Sequence, residues 1–425
     1  MMDFLRTYFK GDRVIWAVYA SMIVMSSMIM YSASSSLAIK ADHFYEPVWS
    51  HTLFLIAGAV VAFLVHRMSL RVILSLSPLL YLISLVLLIL TPFIGRTVNG
   101  ATRWISIPVV GILFQPSELV KLFTILFLAR LLAQYQNSKD STPDDGWWKY
   151  LLCLIIPSVI IATENLSTCL LLLLIGLLMM MYARLSWKLL GKMIGVGVLF
   201  VGLGLAALML VPEDPQPQNE EAVEQVGNAG KRGGIFHRAL TWKHRIQSYT
   251  EGASSEYDEN YRITDKSLQE DRAKIAVANG KWGGLGIGNS IQRDYLPLAY
   301  ADFIFAIIVE ELGLWSLLVV VAYLIFMYRC GVLVKSHCNS ITQSLVVLGL
   351  SSMIMIQAYI SIFISLGLFP VSGQPLPLYS RGGTSILITS LYFGIILCVS
   401  RTSTEQTPDK KRELAKNGNS TEPSV

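Results

Sequence analysis

The sequence is short of charge: only 15% of its 425 residues are Asp, Glu, Lys or Arg, where a soluble domain carries about a quarter. With 53% of the chain hydrophobic, a surface turned mostly to water is excluded, and lipid is the expected solvent. Cysteine is scarce as well. The five, Cys153, Cys169, Cys330, Cys338 and Cys398, all lie in or beside apolar runs, which excludes a disulfide framework and leaves them as small apolar filler. The net charge of +5 is modest, and its basic residues sit at the ends of apolar runs, where topology and anionic lipid explain them, so no nucleic-acid partner is expected. The tail 401–425 has no aromatic residue and is polar and charged throughout, a composition that predicts disorder.

What the chain does have is apolar runs of about 20 residues, each long enough to cross a hydrocarbon core of about 30 Å as a helix. They lie near residues 14–36, 50–66, 72–94, 116–134, 149–162, 168–183, 189–211, 302–328, 341–368 and 378–399. Every second connection is basic. Arg6, Lys10 and Arg13 precede the first run, Arg67 and Arg71 follow the second, and Arg130, Lys139 and Lys149 follow the fourth. Arg184, Lys188 and Lys192 follow the sixth, Arg329 and Lys335 the eighth, and Arg401, Lys410, Lys411 and Arg412 the last. By the positive-inside rule those connections are cytoplasmic. The first run, apolar for about 19 residues, exceeds the core of a signal peptide and is kept as a helix.

The expected fold is an all-α polytopic membrane protein of about ten transmembrane helices with both termini in the cytoplasm. Residues 1–13 form a cytoplasmic segment, 14–211 helices one to seven, 212–301 a large extracytoplasmic loop, 302–400 helices eight to ten, and 401–425 the tail.

Charge at membrane depth is expensive, so each charged residue there is a functional candidate. The leading cluster is Phe114-Gln115-Pro116-Ser117-Glu118-Leu119-Val120-Lys121. Pro116 suits a first helical turn, Glu118 and Lys121 share a face, and the helix start would favour a phosphate; the plainer alternative is an ion pair that fixes helix packing. Upstream, Gly95 to Ile105 forms a loop with a turn signal at Asn99-Gly100 and an interfacial Arg103-Trp104 pair. A second cluster opens the eighth helix, from Tyr300-Ala301-Asp302-Phe303 to Glu310-Glu311-Leu312-Gly313. Asp302 is expected at the outer mouth, as an N-cap or a base, with Glu310 and Glu311 about two turns deeper. The glycine-dense stretch Asn279 to Asn289 matches no nucleotide fingerprint. Phe369 to Ser385, rich in Pro and Gly between two apolar runs, predicts backbone that lines a cavity.

Taken in this order, four motifs resemble the SEDS family (shape, elongation, division and sporulation) of bacterial membrane proteins, over nearly the whole membrane portion. They are Asn99-Gly100-Ala101-Thr102-Arg103-Trp104-Ile105, Phe114-Gln115-Pro116-Ser117-Glu118-Leu119, Asp302-Phe303-Ile304-Phe305-Ala306 with Glu310-Glu311-Leu312-Gly313, and Pro375-Leu376-Pro377-Leu378 with Ser380 and Gly382-Gly383. Gly286 to Gln292 looks more like the division branch of the family than the elongation branch. The resemblance implies a peptidoglycan glycosyltransferase of the bacterial cytoplasmic membrane, at the division septum, that polymerises lipid II into an undecaprenyl-linked glycan strand. It implies a class B penicillin-binding transpeptidase and other division proteins as partners. Asp302 matches the family's catalytic Asp, and Arg103, Gln115, Ser117, Glu118, Lys121, Ser380, Gly382 and Gly383 match its substrate-binding motifs.

This chain departs from the family pattern in four places. Leu296-Pro297-Leu298-Ala299-Tyr300-Ala301 lacks the usual Glu after Pro and the His-Thr before the Asp, and Arg272-Ala273 replaces a Gln-Ser pair, with Gln269 retaining the first Gln. Thr163-Glu164-Asn165-Leu166-Ser167-Thr168 loses an Asp from Gln-Pro-Asp-Leu-Gly-Thr, and Ser380-Arg381-Gly382-Gly383 replaces Ser-Tyr-Gly-Gly.

Glycan growth needs a base for the attacking hydroxyl and cationic groups, or a divalent cation such as Mg or Mn, for the leaving pyrophosphate. Asp302 is the candidate base; Arg103, Lys121 and the helix start at Pro116 are candidates for the pyrophosphate, with Glu118 holding Lys121. No ligand cluster singles out a metal, and no organic cofactor is expected. With one carboxylate and one displacement, inversion is expected. Intramembrane charge and broken helices also suit a lipid II flippase, although no inverted repeat is seen, and a non-catalytic scaffold is the third reading.

Overall fold

The computed structural model describes residues 9–33, 46–98, 101–106, 113–136, 142–197, 268–297 and 299–418. Asn99-Gly100, residues 198–211 of the seventh run, and residues 212–267 of the large loop, with Glu251 to Asp258, lie outside the described residues.

The first three helices are α1 (Arg13–Ala33), α2 (Glu46–Arg67) and α3 (Leu70–Ile94). After them come α4 (Pro116–Gln136), α5 (Trp147–Glu164), α6 (Leu166–Tyr182) and α7, described over 187–197. Beyond the undescribed loop residues lie α8 (Leu268–Gly280), α9 (Ile304–Leu312), α10 (Leu317–Ser336), α11 (Ile341–Ser365) and α12 (Gly383–Gly418). Among the described residues, seven helical stretches are long and apolar enough to cross a membrane. Of the remaining expected spans, α4 carries Glu118, Lys121 and Arg130, α6 has 17 residues, and α7 runs out of the described region.

The bundle has a centre and a lipid-facing rim. In the apolar window of α11, 78% of residues are buried, against 22% for α3, whose Leu79, Leu82, Val86 and Phe93 are exposed. Such a rim is tolerable only where the solvent is itself apolar. Small residues let the centre close up: a Cβ on Gly349 of α11 would stand 2.6 Å from Ile125 of α4 and 2.8 Å from Met179 of α6. At one end of the bundle, basic residues tie helices together. Arg329 pairs with Asp12 at 2.5 Å, Arg401 donates to the carbonyls of His66 and Met68, and Arg130 donates to those of Leu74 and Ser75.

The fold differs from the expected one in four places. First, the chain between α3 and α4 is not loop alone but a small antiparallel sheet, with β1 (Arg96–Val98), β2 (Ala101–Ser106) and β3 (Leu113–Phe114) in that order. Ile105 opposite Phe114 brings the Arg103-Trp104 strand against the entry to α4. Second, the polar tail does not begin as disorder, because α12 continues to Gly418 through Lys410, Lys411, Arg412, Glu413, Leu414 and Ala415, all good helix formers. Third, part of the expected outer loop is ordered, since α8 and the glycine-rich segment after it pack on α9.

Fourth, the eighth helix is broken. A 3₁₀ turn, Gly313–Ser316, separates α9 from α10, and Gly313 has φ +56°, a conformation that favours glycine. Depth is reversed with it. Ser32, at the end of α1, donates to the Glu311 carboxylate. Ser26, six residues back and hence about 9 Å along the helix, donates to the Leu378 carbonyl at 2.7 Å. Ser380, in the same turn as Leu378, donates to the Ala301 carbonyl at 2.5 Å. So α9 climbs toward the end of α1 as it leaves Asp302, and Glu310 and Glu311 are the shallower residues.

Candidate functional site

The site is organised by the segment 371–382 between α11 and α12. Pro375 and Pro377 have no backbone N–H, so the segment cannot continue either helix. Instead it makes a single turn: the N–H groups of Tyr379 and Ser380 both donate to the Leu376 carbonyl, at 3.1 and 3.0 Å. Leu378, 2% exposed, sits at φ +68°, a conformation unfavourable for a branched residue and held only because its surroundings over-determine it. Ser26 holds its carbonyl and itself meets His51 at 2.9 Å, while the Tyr323 hydroxyl donates to the Pro377 carbonyl at 2.5 Å.

This turn fixes Asp302. The Ser380 hydroxyl accepts from the Leu376 N–H at 2.8 Å and donates to the Ala301 carbonyl, and the Arg381 N–H donates to the Tyr300 carbonyl at 2.9 Å. Residues 300 and 301 are thereby stitched to 380 and 381, and Asp302 projects beside Gly373, where an added Cβ would lie 3.8 Å from its Oδ2. Asp302 is partly exposed. It is not the cap of α9, whose N-cap is Phe303 with no side-chain bond.

The α4 motif joins the same segment. Lys121 is 0% exposed and meets the Glu118 carboxylate at 2.6 Å. Its ammonium also donates to Gln357 Oε1 at 3.3 Å, and Gln357 Nε2 donates to the Pro375 carbonyl at 3.1 Å. The pair is therefore both an ion pair and a strut under the turn. Gln115 Nε2 donates to the Ser117 hydroxyl at 3.0 Å, beside the start of α4. The Thr384 hydroxyl donates to the Leu113 carbonyl at 3.2 Å, so the first turns of α4 and α12 meet, with Gly382 and Gly383 at the start of the latter.

Arg103 stands apart from this group. It donates to the Glu164 carbonyl at the end of α5 rather than anchoring only at an interface. The next residue, Asn165, caps α6 by accepting from Ser167 and Thr168 at 3.1 and 3.4 Å. Its amide Nδ2 donates to the Ser372 carbonyl at 3.4 Å, which an ionised Asp could not do. Gln374 closes this side by donating to the Thr168 hydroxyl at 2.7 Å. From α8, Glu270 accepts a backbone hydrogen bond from Val371; burial raises its pKa, against the opposing effects of Lys274 and that bond.

Glu310 and Glu311 serve the glycine-rich segment. Glu310 is fully buried, accepting from Asn279 at 2.9 Å, from the Ser290 hydroxyl and from the Gln292 N–H at 3.1 Å. Glu311 accepts from Ser32, to whose hydroxyl Arg293 also donates at 3.2 Å. Among the described residues no group of three His, Cys, Asp or Glu side chains comes together as a metal site.

Of the residues singled out in the sequence, Ser380, Gly382 and Gly383 lie in or beside the segment 371–382 and Asp302, Glu118 and Lys121 are tied to it, while Gln115 and Ser117 lie at the start of α4 next to α12 and Arg103 reaches the segment only through the α5–α6 corner. Gln357, Ser26, His51 and Tyr323 were not anticipated. The signal for Gln357 was an amide inside an apolar run, which is costly unless bonded.

Residues 12–405 match the FtsW, RodA and SpoVE family of cell cycle proteins. The chain belongs to this family. FtsW proteins resemble it along most of its length: that of Hahella chejuensis is 31% identical over 391 residues, covering 87% of this chain and 85% of its own. That of Nitrosococcus halophilus is 32% identical over 390 residues, covering 86% of each. Both are named probable peptidoglycan glycosyltransferases. The fold is shared with a chain of a peptidoglycan synthase complex that coordinates polymerisation and crosslinking, at TM-score 0.68 and 21% identity over 92% of this chain and 98% of that one. It is also shared with the rod-shape-determining protein RodA of Thermus thermophilus, at TM-score 0.61 and 20% identity, covering 93% and 98% of the two chains. Within this fold the Asp302 motif and the α4 motif both meet the segment 371–382, while the Arg103 motif reaches it only through the α5–α6 corner.

Proposed function

We propose that this chain polymerises lipid II into glycan strands, with Asp302 as the general base, at the outer face of the bacterial cytoplasmic membrane and at the division septum. Membership of the family, with FtsW relatives at 31% and 32% identity, makes it a peptidoglycan glycosyltransferase. The observation that carries the residue assignment is the stitching of 300–301 to 380–381, which holds one carboxylate beside a backbone turn braced from three helices, α1, α10 and α11.

In this reading the Asp302 carboxylate takes the proton of the attacking sugar hydroxyl while the lipid pyrophosphate leaves the anomeric carbon, a single displacement with inversion. The starts of α4 and α12, next to each other, direct their positive dipole ends toward the leaving charge. Gln115, Ser117, Gly382 and Gly383 line those starts. Ser380 holds Asp302 through Ala301, and Glu118 and Lys121 brace the turn through Gln357. Arg103 acts from the α5–α6 corner. The likeness in fold to a peptidoglycan synthase complex supports a class B penicillin-binding transpeptidase as partner, and the basic end of the bundle supports cytoplasmic termini.

The test is Asp302→Asn. Because Phe303, not Asp302, caps α9, the amide leaves the helix intact, so the variant should insert, stay folded and bind its transpeptidase while polymer from labelled lipid II is lost. Normal polymer length on a gel would remove Asp302 as the base. Retained lipid II translocation by the variant, with no polymer from the unaltered protein, would point to a transporter instead.

A further inference from the structure

The cations first expected at the pyrophosphate are committed elsewhere. Lys121 is 0% exposed and neutralised by Glu118 at 2.6 Å, and Arg103 donates to the Glu164 carbonyl. Arg381 is different. It is partly exposed, its N–H is bonded to the Tyr300 carbonyl at 2.9 Å, and its guanidinium carbon lies 5.8 Å from the centre of the Tyr300 ring. None of the ion pairs among the described residues includes it. It immediately precedes Gly382 and Gly383, at the start of α12, which the Thr384 to Leu113 bond places against the entry to α4. The guanidinium and the start of α12 thus adjoin the residue pair that precedes Asp302, and the start of α4 lies next to that of α12.

Arg381 and Tyr300 also replace two residues of the family pattern at once, the Tyr of Ser-Tyr-Gly-Gly and the His two places before the Asp. Because these positions touch, the exchange keeps one aromatic and one basic residue in the contact but moves the base to position 381 and makes its charge permanent. Stacking on Tyr300 restricts the guanidinium without consuming its donors.

We propose that Arg381 binds the pyrophosphate of the lipid-linked substrate, a role that rests on the glycosyltransferase reading. The planar fork suits two phosphate oxygens, and the adjacent helix starts add N–H donors that alone would not make a site.

The test uses the full chain in nanodiscs, with undecaprenyl pyrophosphate and undecaprenol as probes. Arg381→Gln should weaken undecaprenyl pyrophosphate about 10- to 100-fold, the worth of a charge-assisted hydrogen bond. Arg381→Lys should fall between, since it keeps charge but not the fork. Undecaprenol affinity and the melting temperature should not change. The double variant Arg381→Tyr with Tyr300→His, which restores the family pair, serves as a second folded background and should regain pyrophosphate affinity at acidic pH, where the imidazole is protonated. Unchanged pyrophosphate affinity in Arg381→Gln, or an equal loss for both lipids, would overturn the proposal. If the unaltered protein bound the pyrophosphate lipid through Arg381 yet made no polymer with its transpeptidase, the glycosyltransferase reading would fail and the binding role would stand.

Discussion

A lysine that water does not reach must be neutralised where it sits, and Lys121 is neutralised by a carboxylate one turn away on its own helix. What its sequence position does not reveal is Gln357, which passes the constraint on to Pro375. Removing one partner of such a pair leaves a buried charge, a loss of about 3 to 5 kcal/mol. Lys121→Met should therefore lower the melting temperature in detergent and the yield of polymer, and adding Glu118→Gln should recover most of the stability. A single variant as stable and active as the parent would show the strut to be dispensable. Asn165 teaches a related lesson: where the family has Asp, the amide still caps α6 and gains a donor for Ser372, so the departure retains the structural task.

At the scale of elements, the break between α9 and α10 is the feature that hydropathy alone concealed. The glycine-rich segment lies across it, with Leu285 and Gly286 donating to the Glu310 and Glu311 carbonyls, each at 2.9 Å, and Leu314 donating to Trp282 at 3.1 Å. The approach is too close for a side chain. A Cβ on Gly284, at φ +72°, would stand 2.1 Å from the Glu311 carbonyl oxygen, whereas one on Gly283 would meet nothing within 4 Å. Gly284→Ala should destabilise the protein by about 1 to 3 kcal/mol and disturb the path leading to Asp302, with Gly283→Ala close to neutral. Equal melting temperatures for the two variants would mean that the segment does not clasp the break.

At the scale of the molecule, the contacts of Asp12 with Arg329, of Arg401 with His66 and Met68, and of Arg130 with Leu74 and Ser75 gather the basic residues at one end. If that end faces the cytoplasm, Glu251→Cys should label with an impermeant maleimide from outside and Ser186→Cys should not. The background is low, because Cys153, Cys169, Cys330 and Cys398 are buried, and burial pushes the Cys338 thiol up to about 11 despite the side chains of Ser344 and Ser403. The reverse labelling pattern would invert the protein and with it the outward site.

Solvent and class were legible in composition alone, because a chain with so little charge can only satisfy its apolar surface in lipid, and helices are the simplest way to bond every backbone group there. The placement of most helices followed from run length, and the four motifs named the residues worth locating. Local pattern could not decide where those motifs meet. Ser380 reaches Ala301, Gln357 reaches Lys121 and Pro375, and Ser26 reaches Leu378 across separations of 79 residues or more in all but one case. The depth of Asp302 relative to Glu311 and the exposure of Arg381 in place of the buried Lys121 were likewise decided by packing. Periodicity records which face of a helix is apolar, whereas hydrogen bonds between distant segments determine which polar groups share one pocket of low dielectric and which are left facing the substrate.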